Sequence, residues 1–456
     1  MQIVVVGAGI SGLAAASRLH ERGARVTVLE ASRRVGGQVR AVEVDGRLVD
    51  VGAESVHTAA PGPLELLAEL GLATQVVAPE GGPTWIWSGR RLRPLPAGFS
   101  PAGPSRLWPV VTSGVLSPIG KARAGLEPLV PSSRSSQDVS VGDFLARRFG
   151  RQLTDRLVDP LLGGLHSGDV RRLSLRAATP QLAALADRHR SLLLRRRPPV
   201  PSGPAFVTLR GGLASLPVRW AEELDGVDVR LGSAVNAVER AGAHVLVHTE
   251  DGASLEADGV VLAVPARAAR GMVAAASPSA AADLAALRAA SVAVAVLAYP
   301  AEAASVPALA GTGMLVPSGT GRLLKAATFL SSKWPHHRHV DGRVLVRASA
   351  GRAGDERAAD LDDDDLIEGL HAEVCAATGL THAPVAGRVE RWPATMPQLE
   401  VGHHQRIDSI ADALRRDLPG VVLAGAPYHG PGLAACLRSG TAAGEQILHH
   451  LEERAA

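Results

Sequence analysis

Apolar and polar positions change period several times along the chain, and each change marks an element. Residues 3–6 are an unbroken apolar run, as a parallel strand buried on both faces requires, and glycine follows at once. A second run at 26–29 predicts the next strand, with a helix between the two. Residues 39–44 and 47–51 flank Asp45 and Gly46, the pattern of a hairpin. Helical spacing at 63–72 stops at Gly71. Residues 140–149 and 153–162 read as helices, and 173–194 as an amphipathic helix broken after Thr179 by Pro180. At Phe206 the texture becomes strand, glycine turn and helix (206–209, then 213–224). Strands are predicted at 227–231, 234–239, 245–249 and 260–264, and four more at 291–299, 313–316, 323–330 and 343–350, which imply a second, mostly antiparallel sheet. The acidic run 360–365 suits the positive end of a helix over 366–378. The chain closes with a buried strand at 421–426, a glycine turn at 430–433 and a helix over 436–451.

The first turn carries chemistry. Gly7, Ala8, Gly9, Ile10, Ser11 and Gly12 follow the first strand as Gly-x-Gly-x-x-Gly, with Gly7 for a tight turn, Gly9 for close approach of the backbone to phosphate, and Gly12 for helix packing on the strand. Glu30 ends the second strand about 20 residues later, where a carboxylate accepts hydrogen bonds from ribose hydroxyls. Strand, turn, helix, strand and acid in one register predict a dinucleotide site with pyrophosphate at the helix N-terminus. Gly36 and Gly37 shortly after the acid, together with the C-terminal strand, glycine turn and helix, point to a flavoprotein rather than an NAD dehydrogenase. The second helix N-terminus can stabilise negative charge on a reduced isoalloxazine.

Composition narrows the rest. The chain has 456 residues, enough for two or three interlocked domains, and a formal charge of +3. Its positive charge is almost all arginine, with lysine only at 121, 325 and 333, and no basic block is interleaved with aromatics, so no nucleic-acid partner is expected. Arg195, Arg196 and Arg197 read as a solvated turn. Cys375 and Cys436 lack the spacing of a disulfide framework or zinc site, and a reducing cytoplasm fits. The sequence opens directly on the first strand, so no secretory signal is expected, and no apolar stretch approaches the ~18 residues of a membrane span. His336, His337 and His339, and His403 and His404, lack acidic or cysteine partners at ligand spacing. They read as surface-loop histidines, and no metal site is expected.

Several stretches carry a family resemblance: the opening turn 7–13, the run 157–168 with Arg171 to Ser174, residues 206–212, residues 328–335, Met396-Pro397-Gln398, and the run from Gly425 through Tyr428 to Cys436. They span nearly the whole chain in family order. The chain resembles the flavin amine-oxidase superfamily and, within it, the protoporphyrinogen and coproporphyrinogen oxidases, with the 159–168 stretch the most discriminating because general amine oxidases lack it. The resemblance implies an α/β (α+β) fold: an FAD-binding Rossmann-like domain (1–84, 205–270 and 385–456), interleaved with a mixed or antiparallel-sheet substrate domain (271–384) and a helical insertion (85–204) facing substrate or membrane.

By position it implies FAD contacts at Gly7 to Gly12, Glu30, Ala31, Gly36, Gly37, Gln38, Gly52, Ala53, Glu54, Ser55, Val235, Trp392, Gly425, Pro431, Gly432 and Leu433. It implies a substrate pocket at Gly163, Gly164, His166, Thr312, Met314 and Leu315. In such enzymes flavin N5 takes hydride from a carbon bridge of a porphyrinogen, a pyrrole nitrogen loses a proton, and dioxygen returns the flavin to its oxidised form with release of hydrogen peroxide. The family assigns no single acid–base residue. The expected partners are a porphyrinogen and O2, with room for a weak peripheral membrane contact and for contact with the next haem-pathway enzyme. Thr84 stands where some relatives carry an arginine that pairs with a propionate, and Thr312 where some carry phenylalanine. The alternatives are a flavin amine oxidase, a secondary-metabolism oxidase of the same fold, or a flavin-binding scaffold without turnover. Many amine oxidases hold a water with a lysine in the strand matching 291–299, which has none here, and Tyr299 and Tyr428 are the only tyrosines. His429 and Tyr428 are further candidates beside the ring.

Overall fold

The computed structural model describes the chain except residues 90, 101–102, 105–106, 132–136, 195–202, 339 and 456. His339 and the 195–197 arginine run therefore lie outside the described residues.

The apolar runs at the two ends build one parallel sheet. Gln2–Val6 lies at its centre, with Arg25–Glu30 and then Asp228–Leu231 on one side, and Gly259–Leu262 and then Val421–Leu423 on the other. Its central strand is fully buried from Ile3 to Val6 because helices and a further layer cover both faces. The helices Ile10–Glu21 and Leu433–Ala455 pack together on one face. Their contact depends on Gly440, where a Cβ would stand 2.1 Å from the Ser11 carbonyl oxygen, inside any permitted separation. On the other face lie the three-stranded sheet Val235–Ala241, His244–Thr249 and Ser254–Ala257, and the helices Pro278–Ala285 and His403–Asp417.

The second sheet has seven strands in the order Ala386–Pro397, Ala289–Tyr299, Val344–Ala350, Leu324–Phe329, Gly313–Leu315, Thr84–Ser88, Arg91–Pro94. Every pair is antiparallel except Gly313–Leu315 with Thr84–Ser88. The helix Asp363–Thr378 covers one face, capped by Asp362, whose carboxylate accepts from the Asp365 amide at 2.9 Å.

Two segments fall elsewhere than the sequence reading put them. Ala386–Pro397 belongs to this sheet although residues from 385 on were assigned to the nucleotide unit, and Thr84–Ser88 with Arg91–Pro94 forms its far edge rather than part of a helical insertion. Strand pairing is nonlocal, so a local pattern shows that a strand exists but not which sheet it joins.

Between Pro118 and Arg188 a helical layer packs on Ile86 of that edge. The expected break at Pro180 separates Leu175–Ala178 from Pro180–Arg188, and the helix ends there instead of reaching Leu194. The helix expected at 153–162 takes an unusual form: Thr154–Gly163 winds with the wide i→i+5 repeat and contains Pro160. Pro160 has no N–H to donate and its ring would clash with the i−4 carbonyl, and a wider turn relieves the clash.

Candidate functional site

At the first turn Gly7 has φ +101°, its amide donates to the Leu29 carbonyl at 2.7 Å, and a Cβ would lie 2.6 Å from the Ala263 carbonyl oxygen. Gly12 is needed for a different reason: a Cβ there would sit 1.8 Å from the Gly7 carbonyl oxygen. A Cβ on Gly9 would meet only the Gly37 Cα, at 3.9 Å, so it would project into the concave side of the turn. The helix that follows has no acidic residue in its first turn and offers its leading amides to an anion. Glu30 Oε2 accepts from the Ala8 amide at 2.8 Å and Oε1 from the Ser32 amide at 2.9 Å. Each oxygen keeps lone-pair capacity for a ribose hydroxyl.

Other candidates gather around this turn. The Gly36 amide donates to the Ala8 carbonyl at 2.8 Å, and the Ala53 amide to the Gln38 carbonyl at 3.2 Å. Gln38 Nε2 reaches the Thr395 carbonyl at 3.1 Å, and Trp392 Nε1 the Val51 carbonyl at 3.1 Å. The Ser233 amide donates to the Glu30 carbonyl at 2.8 Å, which brings the start of Val235–Ala241 to the same end of the sheet. Ala31 is exposed and Ser55 half-buried. From the C-terminal end, Ser11 Oγ donates to the Cys436 carbonyl at 3.0 Å and the Gly425 amide donates to Ser439 Oγ at 2.8 Å, so Gly425, Pro431, Gly432 and Leu433 form a second glycine turn against the first helix. The glycine cradle, the acid and the two helix N-termini fit an FAD.

Glu54 lies at the junction of the two sheets. It pairs with Arg347 at 2.8 Å and with Lys333. Burial alone would push its carboxyl up, but Arg347 and then Lys333 override this and hold it at about 2. Arg347 Nη1 also donates to the Asp50 carbonyl at 2.9 Å. The Asp50 carboxylate receives the Leu213 and Ala214 amides at 2.7 and 3.0 Å, tying the hairpin to the 206–214 turn.

At the positions expected to face substrate, a Cβ on Gly164 would meet Leu315 Cδ2 at 4.0 Å, and one on Gly163 would meet the Gly168 carbonyl oxygen at 2.9 Å and Asp159 Oδ1 at 3.2 Å. Gln398 Nε2 clamps this turn through the His166 carbonyl at 2.9 Å, which joins two stretches of the family pattern. Thr312 Oγ1 lies 2.8 Å from Thr84 Oγ1. Met314 is 1% exposed and packs with Trp87, Leu324 and Phe329 behind the sheet, so it backs the wall that Leu315 presents. His166 is also buried, its Nδ1 has no partner among the described residues, and burial pulls its imidazolium down to about 4.

Among the other histidines, His337 and His403 are buried, which corrects their reading as surface residues. Burial holds His337 at about 3 and His403 at about 4, and His403 Nε2 sits 3.1 Å from the Tyr428 carbonyl. Tyr428 turns into the core and donates to the Val264 carbonyl at 3.2 Å. His429, beside it, is exposed, and its imidazolium is lowered by burial of the ring's inner side and then by His404.

The sequence reading missed Lys325, Lys333, Arg347 and Arg352. Lysine rarity could have flagged the first two, since they are two of three in the chain. An arginine within the largely apolar run Val344–Ala350, which otherwise carries only Ser349 as a polar residue, could have flagged Arg347.

Comparison with known proteins agrees with this geometry. The model of the family described as flavin containing amine oxidoreductase matches residues 10–448. The coproporphyrinogen III oxidase of Bacillus subtilis (strain 168) is 32% identical over 465 residues, covering 98% of each chain. That of Mycobacterium tuberculosis (strain ATCC 25618 / H37Rv) is 34% identical, covering 99% of this chain and 98% of its own. A solved structure from Exiguobacterium sp. 255-15 that carries the name protoporphyrinogen oxidase superposes with a TM-score of 0.88 at 29% identity, covering 99% of both chains. The cyclohexylamine oxidase of Brevibacterium oxydans IH-35A, at 20% identity and TM-score 0.69 over 99% of both chains, shares the fold. The chain belongs to the flavin containing amine oxidoreductase family and is an FAD-dependent oxidoreductase.

Proposed function

We propose that the protein oxidises coproporphyrinogen III to coproporphyrin III in the cytoplasm, with protoporphyrinogen IX as the second substrate to consider. Dioxygen is the acceptor and hydrogen peroxide the product: three rounds remove six hydrogens and release three peroxides. The observation that carries this reading is the 159–168 segment, the stretch general amine oxidases lack, folded against Leu315 and clamped by Gln398. Relatives named coproporphyrinogen III oxidase over essentially the full length support it.

Gly7 to Gly12, Glu30, Gly36 to Gln38, Gly52 to Ser55, Val235, Trp392, Gly425 and Pro431 to Leu433 would hold FAD, which supplies a two-electron acceptor when bound. Gly164, where a Cβ would meet nothing nearer than Leu315 Cδ2 at 4.0 Å, would leave a side-chain-free surface for a broad tetrapyrrole, with Leu315 and Thr312 as its wall, while the buried Gly163 lets the turn close on the Gly168 carbonyl. The amine-oxidase reading is the weaker one. Ala289–Tyr299 contains no lysine, and both tyrosines bury their rings, Tyr299 with its hydroxyl 3.1 Å from His371 Nδ1 and Tyr428 against Val264.

Anaerobic mixing of the FAD-loaded enzyme with coproporphyrinogen III should bleach the flavin spectrum, with porphyrin fluorescence rising. Readmitted oxygen should restore the spectrum and yield peroxide. A flavin left oxidised by both porphyrinogens would overturn the reading.

A further inference from the structure

Behind the 163–168 turn stand two cations: Lys325, on the strand Leu324–Phe329, on which no carboxylate acts, and Arg352, just past the strand Val344–Ala350, one of whose nitrogens is left unpaired among the described residues. Lys325 is 6% exposed and its Nζ donates to Ser167 Oγ at 2.5 Å. Ser167 is fully buried in the left-handed region (φ +50°), and its carbonyl is held by the Ala353 amide at 2.7 Å. A non-glycine residue there is strained, and the two bonds fix it. The charged groups that act on Lys325 are Arg352 and Arg347, both cations. Arg352 Nη2 donates to the Val316 carbonyl at 2.7 Å, while Nη1 is buried without a partner among the described residues.

The nearby carboxylates are engaged elsewhere. Glu54 is shared by Arg347 and Lys333. Asp159 and then Asp355 act on Arg352 electrostatically, but the Asp159 oxygens accept from the Ser318 amide at 2.7 Å and Ser318 Oγ at 2.8 Å, and Asp355 pairs with Arg357 at 2.7 Å, so neither bonds Nη1. A buried cation without a counter-ion is costly, and an orphaned guanidinium nitrogen adds to the cost. Both cations flank the wall proposed for substrate, because Val316 follows Leu315 and Ser167 belongs to the turn of Gly163 and Gly164.

We propose that Lys325 and Arg352 form an anion subsite that receives one propionate carboxylate of the substrate. This rests on the porphyrinogen reading, which it deepens: coproporphyrinogen carries four propionates and protoporphyrinogen two. A carboxylate there would accept from Lys325 Nζ and Arg352 Nη1 in charge-assisted bonds. Burial, then Arg352 and Arg347, hold the Lys325 ammonium down at about 7, and an arriving anion reverses that balance.

The test uses FAD-loaded wild type, Lys325→Met and Arg352→Gln, titrated with coproporphyrin III and with its neutral tetra-amide. Either variant should weaken coproporphyrin III binding about ten- to hundredfold, leave the tetra-amide within twofold, and keep the flavin spectrum; Lys325→Arg should restore most of the affinity. Equal weakening toward both porphyrins, or no weakening, overturns the subsite while the porphyrinogen reading stands, provided the wild type still oxidises coproporphyrinogen. A wild type that neither binds coproporphyrin III nor oxidises its porphyrinogen overturns both.

Discussion

Replacing Glu54 by glutamine keeps the side chain's shape and removes one charge from a buried triad. Lys333 and Arg347 both address this carboxylate, whose side chain is only 11% exposed. Holding its proton affinity at about 2 instead of the ordinary 4.5 corresponds to roughly 3 kcal/mol of stabilisation. Loss of one partner from a buried ion pair costs ~3–5 kcal/mol by an independent route, so the two scales agree. The folded value is the lower one, so the stabilisation is fully present above pH 4.5 and is lost as pH falls toward 2.

The assay is thermal unfolding of both proteins with saturating FAD. At about 2.1 cal/mol/K per residue, a chain of this length unfolding as one unit loses roughly 1 °C per kcal/mol, so Glu54→Gln should melt about 3 °C or more below wild type at pH 7. Adding Lys333→Met to Glu54→Gln should recover part of the loss, because it removes one stranded cation. A Glu54→Gln protein that melts within 1 °C of wild type at pH 7, or a deficit that does not shrink below pH 4.5, would refute the assignment of this carboxylate as the counter-ion of both cations.

Three further outcomes follow from the geometry. Gly440→Ala puts a methyl 2.1 Å from the Ser11 carbonyl oxygen and should cost about 1–3 kcal/mol and lower FAD retention on gel filtration; unchanged retention would mean the two helices separate without disturbing the cofactor turn. Gln398→Leu removes the bonds to the His166 and Met396 carbonyls at 2.9 and 3.0 Å and should raise KM severalfold at constant FAD content, read from steady-state porphyrin fluorescence. His166, held at about 4 by burial against about 6.5 unfolded, takes up its proton mainly on unfolding. Its contribution of roughly 3 kcal/mol is present above pH 6.5 and disappears as pH falls to 4, and His166→Phe should flatten the unfolding free energy between those limits.

What the sequence makes legible follows how local each requirement is. A pyrophosphate turn must be built from consecutive residues, so Gly7, Gly9 and Gly12 announce it, and the structure adds the Gly7 and Ala263 carbonyl oxygens that forbid a side chain. Glu30 is legible for the same reason. The C-terminal turn is nearly so, because a strand, glycines and a helix occur together. Buried charge pairing has no such local trace: Lys333 and Glu54 are 279 residues apart, and nothing beside Glu54 names its partners. Sheet membership fails for the same physical reason, as Ala386–Pro397 illustrates. His337 and His403 read as surface residues because histidine patterns carry no burial signal, and only the packing of the Pro335–His337 turn and the contact with the Tyr428 carbonyl reveal it.

That misassigned strand is what joins the two halves of the site. Ala386–Pro397 is hydrogen-bonded along Ala289–Tyr299 in the seven-stranded sheet, and its end carries Trp392 to the Val51 carbonyl and the Thr395 carbonyl to Gln38. One residue past it, Gln398 grips the 163–168 turn. A single paired strand therefore sets the distance between the residues that would hold FAD and the turn that would hold substrate. A two-electron transfer needs reacting atoms held about 3–3.5 Å apart, and a strand paired on a sheet maintains such a spacing better than a loop. The loose ends of this geometry lie behind the turn, where no carboxylate acts on Lys325 and Arg352 Nη1 has no partner among the described residues.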